Sequence, residues 1–227
     1  MTGLLLHVDS SIGTAEESVS RRLTALFAQT WRARHGAADH RYRDLAADPV
    51  PLLGPAYGRL GRRVDEHGRV APAKVAALVE GPAEEREWAL TRPLIDEVLA
   101  AGTVLLGVPM YNFAIPAGLK AWIDRITFPG AFTDPDSGES RLRGTRVVVV
   151  TARGGGYGPG TPREAFDFQT PYLRAYFGSL GVAESNLHFV HAELTRAAAL
   201  PALAPYRELG AASLTAAQEA VLELAAL

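Results

Sequence analysis

The stretch TRVVVVT, residues 145–151, decides the fold of this chain. Its four consecutive valines leave no polar face, which is typical of a strand buried on both sides in a parallel sheet. Shorter β-branched or leucine-rich runs occur on either side of it and bear the same interpretation. We therefore predict strands at residues 4–8, 40–45, 103–108, 145–151 and 186–190.

Amphipathic segments alternate with these strands. Val19, Leu23 and Phe27, for example, recur at helical spacing after the first strand. Such alternation predicts a five-stranded parallel sheet with helices on both faces, built as a single domain over residues 1–227. Thr161, Pro162 and Glu164 resemble a capping box and predict a helix start. Two segments fit the pattern less well: a Gly-, Pro- and Arg-rich stretch over about 49–70, predicted to be a long surface loop or irregular insertion, and a polar hairpin or loop over about 128–144.

Composition excludes several classes of protein. The 227 residues are 48% hydrophobic, enough for a sizeable core, and the net charge of −2 argues against partners such as nucleic acid or an anionic membrane. The chain has no cysteine, which excludes thiolate metal sites, iron–sulfur clusters and cysteine nucleophiles. The N-terminus lacks a basic region before a short apolar run, and no apolar stretch approaches about 20 residues. We expect a cytoplasmic protein.

In parallel sheets of this kind, ligands bind beyond the carboxyl ends of the strands, so the strand ends direct the search. After the first strand, residues 10–20 form a hydroxyl-rich loop that enters a helix. Hydroxyls and backbone N–H groups there could converge on a phosphate. Capping of the helix by Ser18 or Ser20 explains the same residues equally well.

The segment after the third strand reads Pro109-Met110-Tyr111-Asn112-Phe113. Tyr111 and Phe113 could form a flat apolar wall for an aromatic cofactor, with Asn112 as a polar group at its edge. The alternative is that these aromatic residues only close the end of the core. The amide of Asn112 at a strand end favours a binding site.

The segment after the fourth strand is Ala152-Arg153-Gly154-Gly155-Gly156-Tyr157. Three successive glycines are costly in conformational entropy, and they allow a flat ligand to approach the backbone closely. The alternative is a flexible turn. Neither the G-x-G-x-x-G motif nor the G-x-x-x-x-G-K-[ST] motif occurs here, so a dinucleotide fingerprint and a phosphate loop of that type are excluded.

With these segments the chain resembles the FMN-dependent NADH-azoreductases, from Ser10-Ser11 to about residue 181. The resemblance is most specific over residues 109–124. It implies a flavodoxin-like three-layer α/β/α sandwich and a homodimer in which bound FMN passes electrons from NADH or NADPH to a quinone or azo acceptor by a ping-pong mechanism. The flavin would carry the chemistry, so no catalytic residue is assigned. The residues implied in FMN binding, taken with their neighbours, are Ser10, Ser11, Ser18, Val19, Ser20, Pro109, Met110, Tyr111, Asn112, Phe113, Ala152, Arg153, Gly154, Gly155 and Tyr157.

Other polar residues receive structural interpretations. His188 and His191 lie three apart on a strand and face opposite sides, so no metal site is predicted. We expect His7 to be a hydrogen-bonded core histidine, Asp9 to lack an acid–base partner, and the pair Arg21-Arg22 to be solvated. Three alternative functions stay open: a non-enzymatic electron carrier, a flavin-free binding protein, and an FAD-dependent quinone reductase.

Overall fold

The computed structural model describes residues 3–227, and the prediction about the N-terminal Met1 and Thr2 lies outside that range. Five parallel strands form one sheet in the order β2-β1-β3-β4-β5. The predicted sheet is therefore confirmed. Its strands are β1 (Leu4–Asp9), β2 (His40–Asp44), β3 (Ala101–Pro109), β4 (Arg146–Ala152) and β5 (Leu187–Ala192).

Within residues 3–227, six α-helices cover the two faces of this sheet. They are α1 (Val19–His35), α2 (Pro55–Glu66), α3 (Pro82–Ala100), α4 (Ala117–Ile126), α5 (Gln169–Ser179) and α6 (Arg207–Ala226). Helices α1 and α6 pack on one face, and the other four pack on the opposite face. The result is a three-layer α/β/α sandwich.

The valine run in β4 shows why the sheet is buried on both sides. Val148 and Val150 belong to the core under α1 and α6, whereas Val147 and Val149 belong to the core under the other helices. Successive side chains of a strand point to opposite faces, so four valines in a row supply apolar surface to both layers.

The prediction of a long surface loop over residues 49–69 is wrong, because α2 occupies its centre. Pro55 starts this helix at its first position, where the missing N–H costs nothing. Tyr57, Leu60 and Val64 then fall on its buried face. Two glycines and three arginines within Pro55–Glu66 conceal this apolar stripe in the sequence.

The predicted helix start at Thr161 is also wrong. The Thr161 hydroxyl donates to the Gly158 carbonyl at 2.8 Å instead of accepting from a helix N–H. Only a short 3₁₀ turn, Glu164–Phe166, follows. Within residues 128–144, Thr133 and Ser140 form an antiparallel bridge. No helix in residues 3–227 is long and apolar enough to cross a bilayer.

Candidate functional site

The carboxyl ends of β1, β3 and β4 lie side by side, since these strands are neighbours in the sheet. Hydrogen bonds join the segments that follow them. The Met110 N–H donates to the Ala152 carbonyl at 2.9 Å, which links the segments after β3 and β4. The Ile12 N–H donates to the Tyr111 hydroxyl at 3.1 Å, which links the segments after β1 and β3. The three predicted site segments therefore form one surface.

Hydroxyl groups gather where the loop after β1 enters α1. Ser18 is the N-cap of α1, and its Oγ accepts from the Arg21 N–H at 3.4 Å and lies 3.1 Å from Ser20 Oγ. Ser11 Oγ accepts from the Gly13 N–H at 3.2 Å. The first N–H groups of any helix have no intrahelical acceptor, so Val19 and Ser20 offer backbone donors at this end. Capping and anion binding are therefore compatible here.

Two further features of this loop matter for an anion. Glu16 and Glu17 are exposed, away from the buried serines. The Ser10 hydroxyl donates to the Gly107 carbonyl at 2.8 Å, and its N–H bonds the same oxygen at 3.0 Å. Ser10 thus ties the loop to β3, and its hydroxyl proton is already used within the protein.

Arg21 is buried, so the prediction of a solvated pair is wrong for this residue. Its guanidinium donates to both carboxylate oxygens of Asp44 at 2.7 Å and to the Ser11 carbonyl at 2.6 Å. The hydrogen bond from Arg21 holds the pKa of Asp44 down at about 2. Nε of Arg21 is buried without a hydrogen-bond partner among residues 3–227.

Asp9, at the end of β1, also has partners that the sequence did not predict. It accepts hydrogen bonds from Thr24 at 2.9 Å and Tyr42 at 3.1 Å. His7 is buried as predicted, but neither ring nitrogen has a hydrogen-bond partner in the described chain. Its Nε2 lies 3.4 Å from Asp9 Oδ2 without the geometry of a hydrogen bond. The expectation of a hydrogen-bonded histidine is wrong.

The segment after β3 is a tight turn. Tyr111 and Ala114 exchange two backbone hydrogen bonds of 3.0 Å around Asn112 and Phe113. Both central residues have positive φ, 48° for Asn112 and 71° for Phe113. That geometry matches a type I′ turn, which asparagine tolerates and phenylalanine rarely adopts. Strained backbone of this kind is concentrated at functional sites. Both side chains are exposed at the surface of the site.

The glycine segment after β4 presents its backbone. The N–H groups of Gly154, Gly155 and Gly156 have no acceptor among the described residues, whereas the Arg153 N–H donates to the Ala192 carbonyl at 2.8 Å. A Cβ on Gly154 would lie 3.0 Å from Arg196 Cδ, and one on Gly155 would lie 3.3 Å from Arg163 Nη1. The glycines therefore leave room for side chains that lie against the loop.

The Arg153 side chain turns into the protein and is 1% exposed. Nε donates to Gln169 at 3.2 Å and Nη1 to Glu193 at 3.2 Å, while Nη2 lies 3.1 Å from Asp167. Glu193 in turn accepts from the N–H groups of Tyr157 at 2.9 Å and Gly158 at 3.2 Å. Arg153 and Glu193 thus hold the glycine segment from behind.

Two cavities flank Tyr111. The first, of about 770 Å³, lies against Met110 and the three glycines, and an apolar wall from residues 194–209 closes its other side. The second, of about 890 Å³, lies against Asn112, Lys120, Phe168 and Tyr172. Tyr157 lines the first cavity. Ala152 is the last residue of β4, and Pro109 is the last residue of β3, directly before Met110.

His191, on β5, contacts the neighbouring strand β4. His191 Nδ1 lies 2.8 Å from the Thr151 hydroxyl, and burial lowers the pKa of His191 to about 4. Across residues 3–227, no group of three or more His, Asp or Glu side chains is placed to hold a metal ion.

Several charged residues that support the site were not predicted from the sequence. Asp44 ends β2, and Glu193 directly follows β5. Both are acidic residues at the C-terminal end of a predicted strand, and this position in the sequence could have indicated them. Arg163 and Arg196 lie over the glycine segment. The sequence does not indicate these contacts, because they depend on long-range packing.

Comparison with known proteins identifies relatives of this architecture. A family model described as a flavodoxin-like fold matches residues 4–208. An FMN-dependent NADH:quinone oxidoreductase of Nocardia farcinica is 44% identical over 203 residues, covering 89% of this chain and 88% of that protein. A second protein of that name, from Xanthomonas euvesicatoria, is 45% identical over 191 residues, covering 83% and 82%.

Solved structures share the fold. An azoreductase from Bacillus anthracis superposes with a TM-score of 0.78 at 20% identity, covering 98% of each chain. An FMN-dependent NADH-azoreductase of the same species, in complex with FMN, gives a TM-score of 0.72 at 19% identity, again covering 98% of each. The predicted resemblance is confirmed: the chain belongs to the flavodoxin-like family of FMN-dependent NADH:quinone oxidoreductases.

Proposed function

We propose that this protein is an enzyme that binds FMN and passes electrons from NADH to quinone or azo acceptors. One observation carries the proposal: hydroxyls at a helix N-terminus, a strained aromatic turn and a glycine backbone with free N–H groups meet at neighbouring strand ends. Relatives more than 40% identical over most of the chain are named for the same activity.

The loop after β1 fits a phosphate group. Ser11, Ser18 and Ser20 supply hydroxyls, and the amides of residues 19 and 20 point out of the helix N-terminus. The positive end of the helix dipole favours a dianion there without a lysine. Ser10 contributes by tying the loop to β3. These residues would hold the FMN phosphate.

The turn and the glycine segment fit the ring system. The segment from Pro109 to Phe113 would lie along the isoalloxazine, with Asn112 at a polar edge. The segment Ala152–Gly155 and Tyr157 would border the pyrimidine, with the free N–H groups of Gly154 and Gly155 directed at its carbonyl oxygens. The Arg153 side chain would support this segment from behind, because it is turned inward.

Bound FMN would supply the redox chemistry, so the protein needs no nucleophile of its own. The chain's contribution is orientation and electrostatics. Unpaired N–H groups of the glycine segment are placed to stabilise negative charge on the ring without having to reorganise. Donor and acceptor would use the same open side in turn, which is a ping-pong order.

The 890 Å³ cavity is suited to the acceptor. Phe168 and Tyr172 give it aromatic surface, and Lys120 gives it a positive charge. Phe113, Phe166 and Phe168 are 40–56% exposed beside it, which is the kind of apolar surface that a second copy covers in a homodimer. Sedimentation or light scattering of the purified protein should therefore give twice the chain mass.

An absorbance spectrum of the purified protein tests the proposal. We expect a flavin spectrum, release of FMN rather than FAD on denaturation, and NADH oxidation that depends on added quinone or azo compound. A colourless protein that ignores added FMN would instead indicate a flavin-free binding protein. Bound flavin without NADH oxidation would indicate an electron carrier. Release of FAD would indicate an FAD-dependent quinone reductase.

Two variants test the assigned residues. Asn112→Gly and Gly154→Val should weaken FMN binding several-fold while lowering the melting temperature little. Glycine adopts the positive φ of position 112, and both positions face the site rather than the core. Gly144→Ala is the matched control, because a Cβ there meets open space. Unchanged FMN affinity in both site variants would contradict the assignment.

A further inference from the structure

The buried guanidinium of Arg21 lies behind the loop that follows β1 and is outside the residues assigned to FMN contact. We propose that Arg21, held by Asp44, is a positioning residue for the phosphate-binding loop, so that affinity for the phosphate of FMN depends on an ion pair that does not touch it. The inference rests on the proposed function, because it concerns the same cofactor site.

Asp44 gives Arg21 a rigid support. Both carboxylate oxygens accept from the guanidinium at 2.7 Å, which is the bidentate geometry. Asp44 Oδ1 also accepts from the N–H groups of Ala46 at 2.9 Å and Ala47 at 3.2 Å. The carboxylate is therefore anchored to the turn after β2, and it anchors the arginine in turn.

Arg21 contacts the loop at one peptide group, the one between Ser11 and Ile12. Its Nη2 donates to the Ser11 carbonyl at 2.6 Å. The N–H of that same peptide belongs to Ile12 and donates to the Tyr111 hydroxyl at 3.1 Å. Carbonyl and N–H of a trans peptide point in opposite directions. Arg21 and Tyr111 therefore hold one peptide plane from its two sides, at the junction of the loop and the turn.

The surrounding charges favour positioning over direct attraction of the phosphate. Arg21 Nη1 lies 3.9 Å from Asp9 Oδ2, in addition to its pair with Asp44. Nη1 also donates to the Tyr42 hydroxyl at 2.9 Å, and Tyr42 donates to Asp9. Asp44 already compensates the charge of Arg21, so the main effect of Arg21 on a nearby anion is through the shape of the loop.

The experiment compares FMN with riboflavin, which has the same ring and no phosphate. Apoprotein is prepared for the wild type, Arg21→Met, Asp44→Asn and the double variant, and both flavins are titrated by fluorescence quenching. The double variant removes both charges of the Arg21–Asp44 pair and keeps an amide oxygen at position 44. Arg43→Gln is the matched control, because Arg43 lies beside Asp44 on β2 but pairs with Glu97 and does not contact the loop after β1.

We expect Arg21→Met to weaken FMN binding about tenfold or more, because the loop loses the charge-assisted hydrogen bond that holds the Ser11 carbonyl. Riboflavin binding should weaken less than twofold, because riboflavin has no phosphate. The double variant should stay as weak for FMN as the single variant, and Arg43→Gln should match the wild type. Equal losses for both flavins would overturn the proposal in favour of a general structural role. Recovery in the double variant would overturn it in favour of a net charge effect.

The two proposals fail separately. If the wild type binds neither flavin, the proposed function is wrong and the inference falls with it. If the wild type binds FMN tightly and Arg21→Met binds it equally well, only the positioning role is wrong.

Discussion

The loops after β1 and β4 are each held by a buried arginine, but in opposite ways. Arg21 comes from the neighbouring helix and gives its strongest contacts to one carboxylate, Asp44. Arg153 belongs to the glycine segment itself and divides its contacts among Gln169, Asp167 and Glu193. The first loop presents side-chain hydroxyls, and the second presents backbone N–H groups.

The difference follows from what each loop presents. Ser18 gains its direction from the helix that it caps, and Arg21 then joins that helix to the loop through the Ser11 carbonyl. The three glycines of the second loop have no side chains of their own, and their conformational entropy in the unfolded chain is high. This loop therefore needs support at several points, which Arg153 and Glu193 provide.

The largest effect is expected from Arg153→Met. The change leaves Glu193 and Asp167 partly buried without their cation, and breaking a buried pair in this way costs roughly 3–5 kcal/mol in the free energy of unfolding. Urea denaturation measures the loss. Arg196→Met, at an exposed position, is the control. A cost below about 1 kcal/mol would mean that the distributed support is dispensable.

Gly107→Ala should come next, through the first loop. A Cβ on Gly107 would overlap Asp9 Oδ1, which is held by Thr24. Overpacking of this kind costs about 1–3 kcal/mol. Gly154→Ala is the corresponding change in the other loop and meets only the flexible stem of Arg196. Thermal unfolding should therefore give a lower melting temperature for Gly107→Ala than for Gly154→Ala. Equal melting temperatures would contradict this difference in packing around the two glycines.

Ser18→Ala should cost about 1 kcal/mol in unfolding free energy, the usual loss of an N-cap. Its counterpart is Thr161→Ala, at the position where the sequence suggested a cap and the structure has none. That change should cost less, because no long helix depends on Thr161. Chemical denaturation of both variants tests this order, and a larger loss at Thr161 would reverse it.

The smallest effect concerns pH and the far edge of the sheet. Burial lowers the pKa of His191 from its ordinary value of 6.5 to about 4. Between these values the unfolded chain binds the proton and the folded chain does not. Stability should therefore be full above pH 6.5 and decrease as the pH falls towards 4. His191→Gln should flatten this decrease, although His40, with a pKa of about 4, keeps part of it. An unchanged slope would contradict the assignment.

Much of this architecture could be predicted from local patterns. The valine run, the alternation of strands and helices, and the three strand-end segments all follow from periodicity and from the rule about where parallel sheets bind ligands. Helix α2 was missed because glycines and arginines conceal its apolar stripe. Arg21 was taken as solvated because its burial depends on Asp44, 23 positions away in the chain. Contacts of that kind depend on the sheet order, which a single sequence does not display.

The backbone bond between the Phe168 N–H and the Phe113 carbonyl, 3.2 Å long, has a consequence for evolvability. It joins the cavity that we propose for the acceptor to the aromatic turn through main-chain atoms alone. Side chains at positions 168, 172 and 120 are therefore free to change without altering that bond. We expect related enzymes to diversify their acceptors at these positions while the cofactor-binding segments stay the same, which makes the cavity a natural place to begin engineering.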